Sequence, residues 1–124
     1  MARSALVSAG IETLVQAGSA DRMHDFKETI RARAQGDARF RRALLREAVE
    51  AYLSGDLDTG KAVLRDYVNA TVGFQGLGER TAIPAKSLMR MLGPKGSPSA
   101  ANLVSILTAL REAEGVRFEL GVRS

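Results

Sequence analysis

Between Phe74 and Lys95 the chain carries Arg80, Lys86, Arg90 and Lys95 against a single acid, Glu79. Lys86 and Arg90 are four positions apart, the spacing that sets two side chains on one face of a helix. Long cations on such a face pair with phosphates, and an arginine can also grip a guanine edge with two parallel donors. The chemistry expected of this stretch is recognition of a polyanion. Bond-making chemistry is not expected. The single histidine, His24, has no cysteine anywhere in the chain to join it as a ligand. Asp56 with Asp58, and Glu112 with Glu114, fall at expected helix ends, where capping or solvation accounts for them. Gly76-Leu77-Gly78 lies inside a helical pattern with no strand before it, so it is not a phosphate-cradling loop. Met89 and Met91 read as packing residues. Neither an enzyme, a metal nor a cofactor is expected.

Two short helices must present those cations. Close crossing of two helices joined by a three- or four-residue turn needs a small side chain at the contact and a permissive residue in the turn. Gly78 supplies the first and Ala82 occupies the second, where a glycine is commoner. Leu77, Ile83, Leu88 and Met91 or Leu92 point inward. Pro84 opens the second helix, which runs to Gly93-Pro94 and exposes Ala85, Lys86, Met89 and Arg90.

Around this pair the pattern is helical throughout. Residues 1–22, rich in Ala, Ser and Gly, are expected to form a loose arm, with Met23 an alternative start. Asp25 and Glu28 make a capping box for a helix reaching Ala34, within a helical extension spanning 23–55. Asp37 caps a helix with Phe40, Leu44, Ala48, Ala51 and Tyr52 inward. Asp58 caps another, with Val63, Leu64, Tyr67, Val68 and Thr71 inward and Gly73 at its end. Gly93 to Pro98 is a loop. Ser97 and Pro98 then start a last helix that buries Leu103, Ile106, Leu107 and Leu110. The expected fold is all-α: a five-to-six-helix domain over 56–114, preceded by the extension.

After Gly115 the period changes. Val116, Phe118, Leu120 and Val122 alternate with Arg117, Glu119, Gly121 and Arg123, the pattern of one short β-strand over 115–124. A lone strand leaves its donors and acceptors unpaired. A second copy would satisfy them through an antiparallel pair, making Val116, Phe118 and Leu120 a homodimer interface. The alternative is that the segment folds back on its own domain or pairs with the arm.

The 124 residues carry 18 Lys or Arg against 14 Asp or Glu, a net charge of +4. That charge is polarised: residues 22–46 hold eight cations against three acids, whereas 47–73 are acidic by three. A basic block that coincides with a reading motif is the footprint of a polyanion binder. No cysteine, no secretory core and no run of about 20 apolar residues is present, so a cytoplasmic chain without membrane association is expected.

The stretch from Leu64 to Leu110 resembles the lambda-repressor-like (Xre) helix-turn-helix family, and within it the HigA-like addiction-module antidotes and the small regulators beside them. The residues that carry the resemblance are Leu77-Gly78, Ala82-Ile83, Ser87-Leu88, Met91-Leu92, the run Gly93-Pro94-Lys95-Gly96-Ser97-Pro98, and Asn102-Leu103 with Ile106 and Leu110. Gly78 stands where the family usually has alanine, and Ala82 where it usually has glycine. The resemblance implies a transcriptional regulator, a repressor, that binds a double-stranded DNA operator as a dimer, with base contacts mapping onto Ala85, Lys86 and Arg90. The full candidate DNA-contacting set is Gln75, Arg80, Ala85, Lys86, Ser87, Met89, Arg90 and Lys95. The phosphate-touching glutamine that often begins the first motif helix is replaced by Phe74, with Gln75 following. The same resemblance implies an alternative function, an antitoxin that binds and silences a toxin protein and autoregulates its operon. Its surface would be residues 1–54, with Arg31, Arg33, Arg39, Arg41 and Arg42.

Overall fold

The computed structural model describes residues 29–124, so the expected arm, the Asp25–Glu28 cap and His24 lie outside the described residues. Six helices follow one another in the described part: α1 (29–36), α2 (Ala38–Leu53), α3 (Leu57–Ala70), α4 (Gly73–Thr81), α5 (Ala85–Met91) and α6 (Ala100–Glu114). The fold is all-α. None of the described helices is long and apolar enough to cross a membrane.

One apolar core joins them. Leu44, Leu45 and Ala48 of α2 meet the stripe Val63, Leu64, Tyr67 and Val68 of α3, and both continue into Phe74 and Leu77 of α4, Leu88 of α5, Leu92, and Ile106, Ala109 and Leu110 of α6. Complete burial of a leucine contributes about 1.5–3 kcal/mol before entropic costs, so the zero exposure of Leu64, Leu77, Leu88, Leu92 and Leu110 makes this cluster the main support of the helix pair. Ile30 and Ala34 of α1 join α2 and the helices after it in the same core. The α2–α3 turn brings Tyr52 over Gly60, where a Cβ would stand 2.8 Å from the ring, so only glycine lets the two helices approach there.

The caps differ from expectation at two ends. Asp37 caps α2 as the spacing predicts, accepting from the Phe40 amide at 3.1 Å. Asp56, not Asp58, caps α3 by accepting from the Thr59 amide at 3.2 Å; Asp58 lies in the first turn. Ser99, not Ser97, caps α6, accepting from the Asn102 amide at 3.1 Å, so Pro98 precedes the helix instead of opening it. In both places two candidate caps lie two residues apart, and the loop's path selects the later or earlier one. α6 ends in a Schellman motif: Gly115 takes a left-handed conformation, its amide donates to Glu112 O, and the Val116 amide reaches Arg111 O.

The expected C-terminal strand is absent. Residues 116–124 carry no regular structure, and no strand occurs among the described residues. Past the Val116 amide the tail makes no backbone–backbone hydrogen bond among the described residues, which are otherwise helices and loops and offer it no strand edge. The tail instead runs beside α2, with Arg111 donating to Val116 O at 3.4 Å at its root.

Candidate nucleic-acid interface

The turn between α4 and α5 is built from the residues the sequence singles out. A Cβ on Gly78 would lie 3.0 Å from Ile83 O and 3.5 Å from the Ala85 amide, so the small residue permits the close approach of the two helices. Ala82 sits at φ 60, ψ 23, the left-handed region, and is the one non-glycine residue with positive φ among those described. Its amide closes α4 on Gly78 O at 2.9 Å. Thr81 completes the turn: its hydroxyl donates to Leu77 O at 2.8 Å and accepts from the Ile83 amide at 3.3 Å. The Ala82 and Ile83 amides of this tight corner are thereby both satisfied.

Pro84 is the N-cap of α5 rather than its first helical residue, with extended ψ of 139 that turns the chain into Ala85. Leu88 and Leu92 anchor the inner face. On the outer face Lys86 and Arg90 are exposed, and Met89 between them is 52% exposed. Gln75 and Arg80 of α4 and Lys95 in the following loop are exposed as well; Ser87 is half-buried. Ala85 departs from expectation: it is partly buried and packs against the core, and its backbone lies at the Gly78 crossing. None of Arg80, Lys86, Arg90 and Lys95 forms a hydrogen bond or ion pair among the described residues.

Two cations that sequence reasoning passed over hold this surface from behind. Lys61 of α3 is 7% exposed, and its ammonium donates to Gly96 O at 2.6 Å and to Pro94 O at 3.5 Å. Arg65, one turn on, donates to Leu92 O at 2.9 Å, taking up a carbonyl left open at the end of α5. Gly96 itself is obligatory, since a Cβ there would overlap Arg90 O. Lys61 and Arg65 are at i and i+4, a spacing that reads as a solvated face until the loop folding over it is known.

The proposed arginine surface at the other end is reduced. Arg41 belongs to an internal network: its guanidinium bonds both oxygens of Glu114 at 3.0 and 3.1 Å and donates to Ala34 O at 2.6 Å, while the Tyr67 hydroxyl donates to Glu114 at 2.5 Å. Burial pushes the Glu114 carboxyl up, but the hydrogen bonds from Arg41 and Tyr67 and the charges of Arg41 and Arg42 outweigh it and hold the carboxyl below its ordinary range. Burial, with the Glu114 bond, pushes the Tyr67 phenol up. Arg33 lies over the Phe40 ring at 4.5 Å and near Asp37. Arg31, Arg39 and Arg42 stay exposed. Glu114, expected to be solvated at a helix end, is thus a buried structural acid.

Comparison of the chain with protein-family models, with curated proteins and with solved structures gave no match.

Proposed function

We propose that the protein is a sequence-specific DNA-binding regulator, a repressor that acts as a homodimer and sets one α5 helix in the major groove of each half-site. The observation that carries this reading is the unpaired cationic surface of the α4–α5 pair. Arg80, Lys86, Arg90 and Lys95 are exposed on it and form no ion pair among the described residues, while Lys61 and Arg65 directly behind are committed to backbone carbonyls. A rigidly backed helix with exposed long cations and one flexible apolar side chain suits phosphates, guanine edges and thymine methyl groups. Lys86 and Arg90 read bases; Arg80 and Lys95, at the flanks, hold phosphates and set the register, with Gln75 beside them. The resemblance of Leu64 to Leu110 to the lambda-repressor-like family supports the same assignment.

A dimer would place its two helices about 34 Å apart, one turn of the duplex. Selection from a random duplex library with the full chain should therefore enrich a twofold-symmetric sequence with half-sites about 10 base pairs apart. A folded protein that enriches no sequence would overturn base reading.

The second reading, an antitoxin that also represses its own operon, draws on the exposed Arg31, Arg39 and Arg42, which remain available to an acidic partner surface. Purification of the natively expressed protein separates the two: a small companion protein in stoichiometric amount favours the antitoxin, and bound DNA alone favours the plain regulator.

A further inference from the structure

The C-terminal tail exposes its apolar residues in one alternating row: Phe118 is 43%, Leu120 76% and Val122 88% exposed. Beside it runs a groove of about 870 Å³ against α2, lined by Val49, Leu53, Phe118 and Leu120 among others. After the Val116 amide the tail's backbone pairs with no other backbone among the described residues. A segment with an unpaired edge, one apolar side and a groove alongside is completed by a strand of the same kind.

We infer that this tail pairs antiparallel with the tail of a second copy, with Phe118 on the twofold axis. The inference rests on the dimer of the preceding reading and specifies its register. In an antiparallel pair, residues directly opposite share a face, so a symmetric register is defined by the residue on the axis. Centring on Phe118 sets Phe118 against its twin, Val116 against Leu120 twice, and Arg117 against Glu119 twice. Within one chain Arg117 and Glu119 already meet at 3.7 Å on the polar side, both more than 80% exposed, so each is placed to be shared with the other strand. A register centred on Gly121 sets Phe118 against Ser124 and removes its apolar partner, and the nearer registers fail on charge. Centring on Glu119 opposes two carboxylates, and centring on Leu120 opposes Arg117 to Arg123. Like charges directly opposite are destabilising. Registers centred between residues set Phe118 against a polar side chain and destroy the apolar face. A two-stranded ribbon is marginal alone. Here its apolar face would lie over the grooves of both α2 helices.

The test is charge reversal in the full chain, read by sedimentation across a concentration series. Arg117→Glu and Glu119→Arg should each weaken the dimer about tenfold or more, since both cross-strand pairs turn repulsive. The double variant R117E/E119R should return it to the wild-type value. A dimer that the double variant does not restore overturns the register while leaving the dimer standing. A wild-type chain that stays monomeric overturns the dimer itself, whatever its affinity for DNA. Because the chain has no cysteine, single cysteines give a second readout. Phe118→Cys places two thiols opposite one another at about 4.5–5.5 Å between Cα atoms, within disulfide reach, whereas Leu120→Cys leaves them about 14 Å apart along the strands. Faster oxidative cross-linking at 118 supports the register, and faster cross-linking at 120 overturns it.

Discussion

Arg90 and Lys95 are both exposed, and neither has an ion-pair partner among the described residues, yet their positions assign them different work. Arg90 lies in the last turn of α5, on the outer face with Lys86, so it can reach a base edge. Arg90→Ala should cost about 1–3 kcal/mol on the selected operator and relax preference at one base pair. Equal loss on operator and random duplex, measured by anisotropy at matched salt, would remove it from base reading. Lys95 sits in the loop that Lys61 holds down, at the flank of the surface. Lys95→Ala should weaken binding to every duplex alike and reduce the slope of log K against log salt by about one unit. A sequence-dependent effect there would argue against a phosphate contact.

At the scale of elements, the corner between α4 and α5 is held at a local cost. Ala82 occupies the left-handed region, which disfavours a Cβ by about 1–2 kcal/mol, partly offset by the smaller unfolded-state entropy of alanine relative to glycine. Ala82→Gly should therefore stabilise the chain by about 0.5–1 kcal/mol in urea unfolding without changing affinity for DNA. A destabilised variant would mean that the Ala82 methyl group packs more usefully than its backbone is strained. Gly78 and Ala82 were legible in the sequence as a small contact and a permissive turn, since sterics at a tight crossing leave few choices. The caps were legible only in kind. Asp56 or Asp58, and Ser97 or Ser99, satisfy the same rule, and the choice depends on where neighbouring helices let the chain turn.

Across the whole molecule, the Arg41–Glu114–Tyr67 network ties α2, α3 and the end of α6 together, with Ala34 O fastening the end of α1. The Glu114 side chain is 4% exposed and its carboxyl titrates below the ordinary value. Its contribution to stability is fully present above that ordinary value of 4.5 and is lost as pH falls through the lower folded value. Glu114→Gln should be clearly less stable than the wild type at pH 7, and the gap should close progressively below about pH 4. A gap that stays constant down to pH 3 in denaturant titrations would show that charge on Glu114 contributes nothing.

From sequence alone the chain is an all-helical domain with a cationic helix pair at its centre, because helical periodicity, small residues at a crossing and unbalanced charge are local properties that survive without coordinates. Three features came only from tertiary structure. Lys61, Arg65 and Glu114 carry side chains that read as solvated wherever their own helix is considered by itself; the partners that bury them come from 27 to 73 residues away. Ala85 packs against the core, its backbone brought close to α4 at Gly78. The alternating tail forms no strand because a strand is a property of two segments, and the described residues hold no second one beside it.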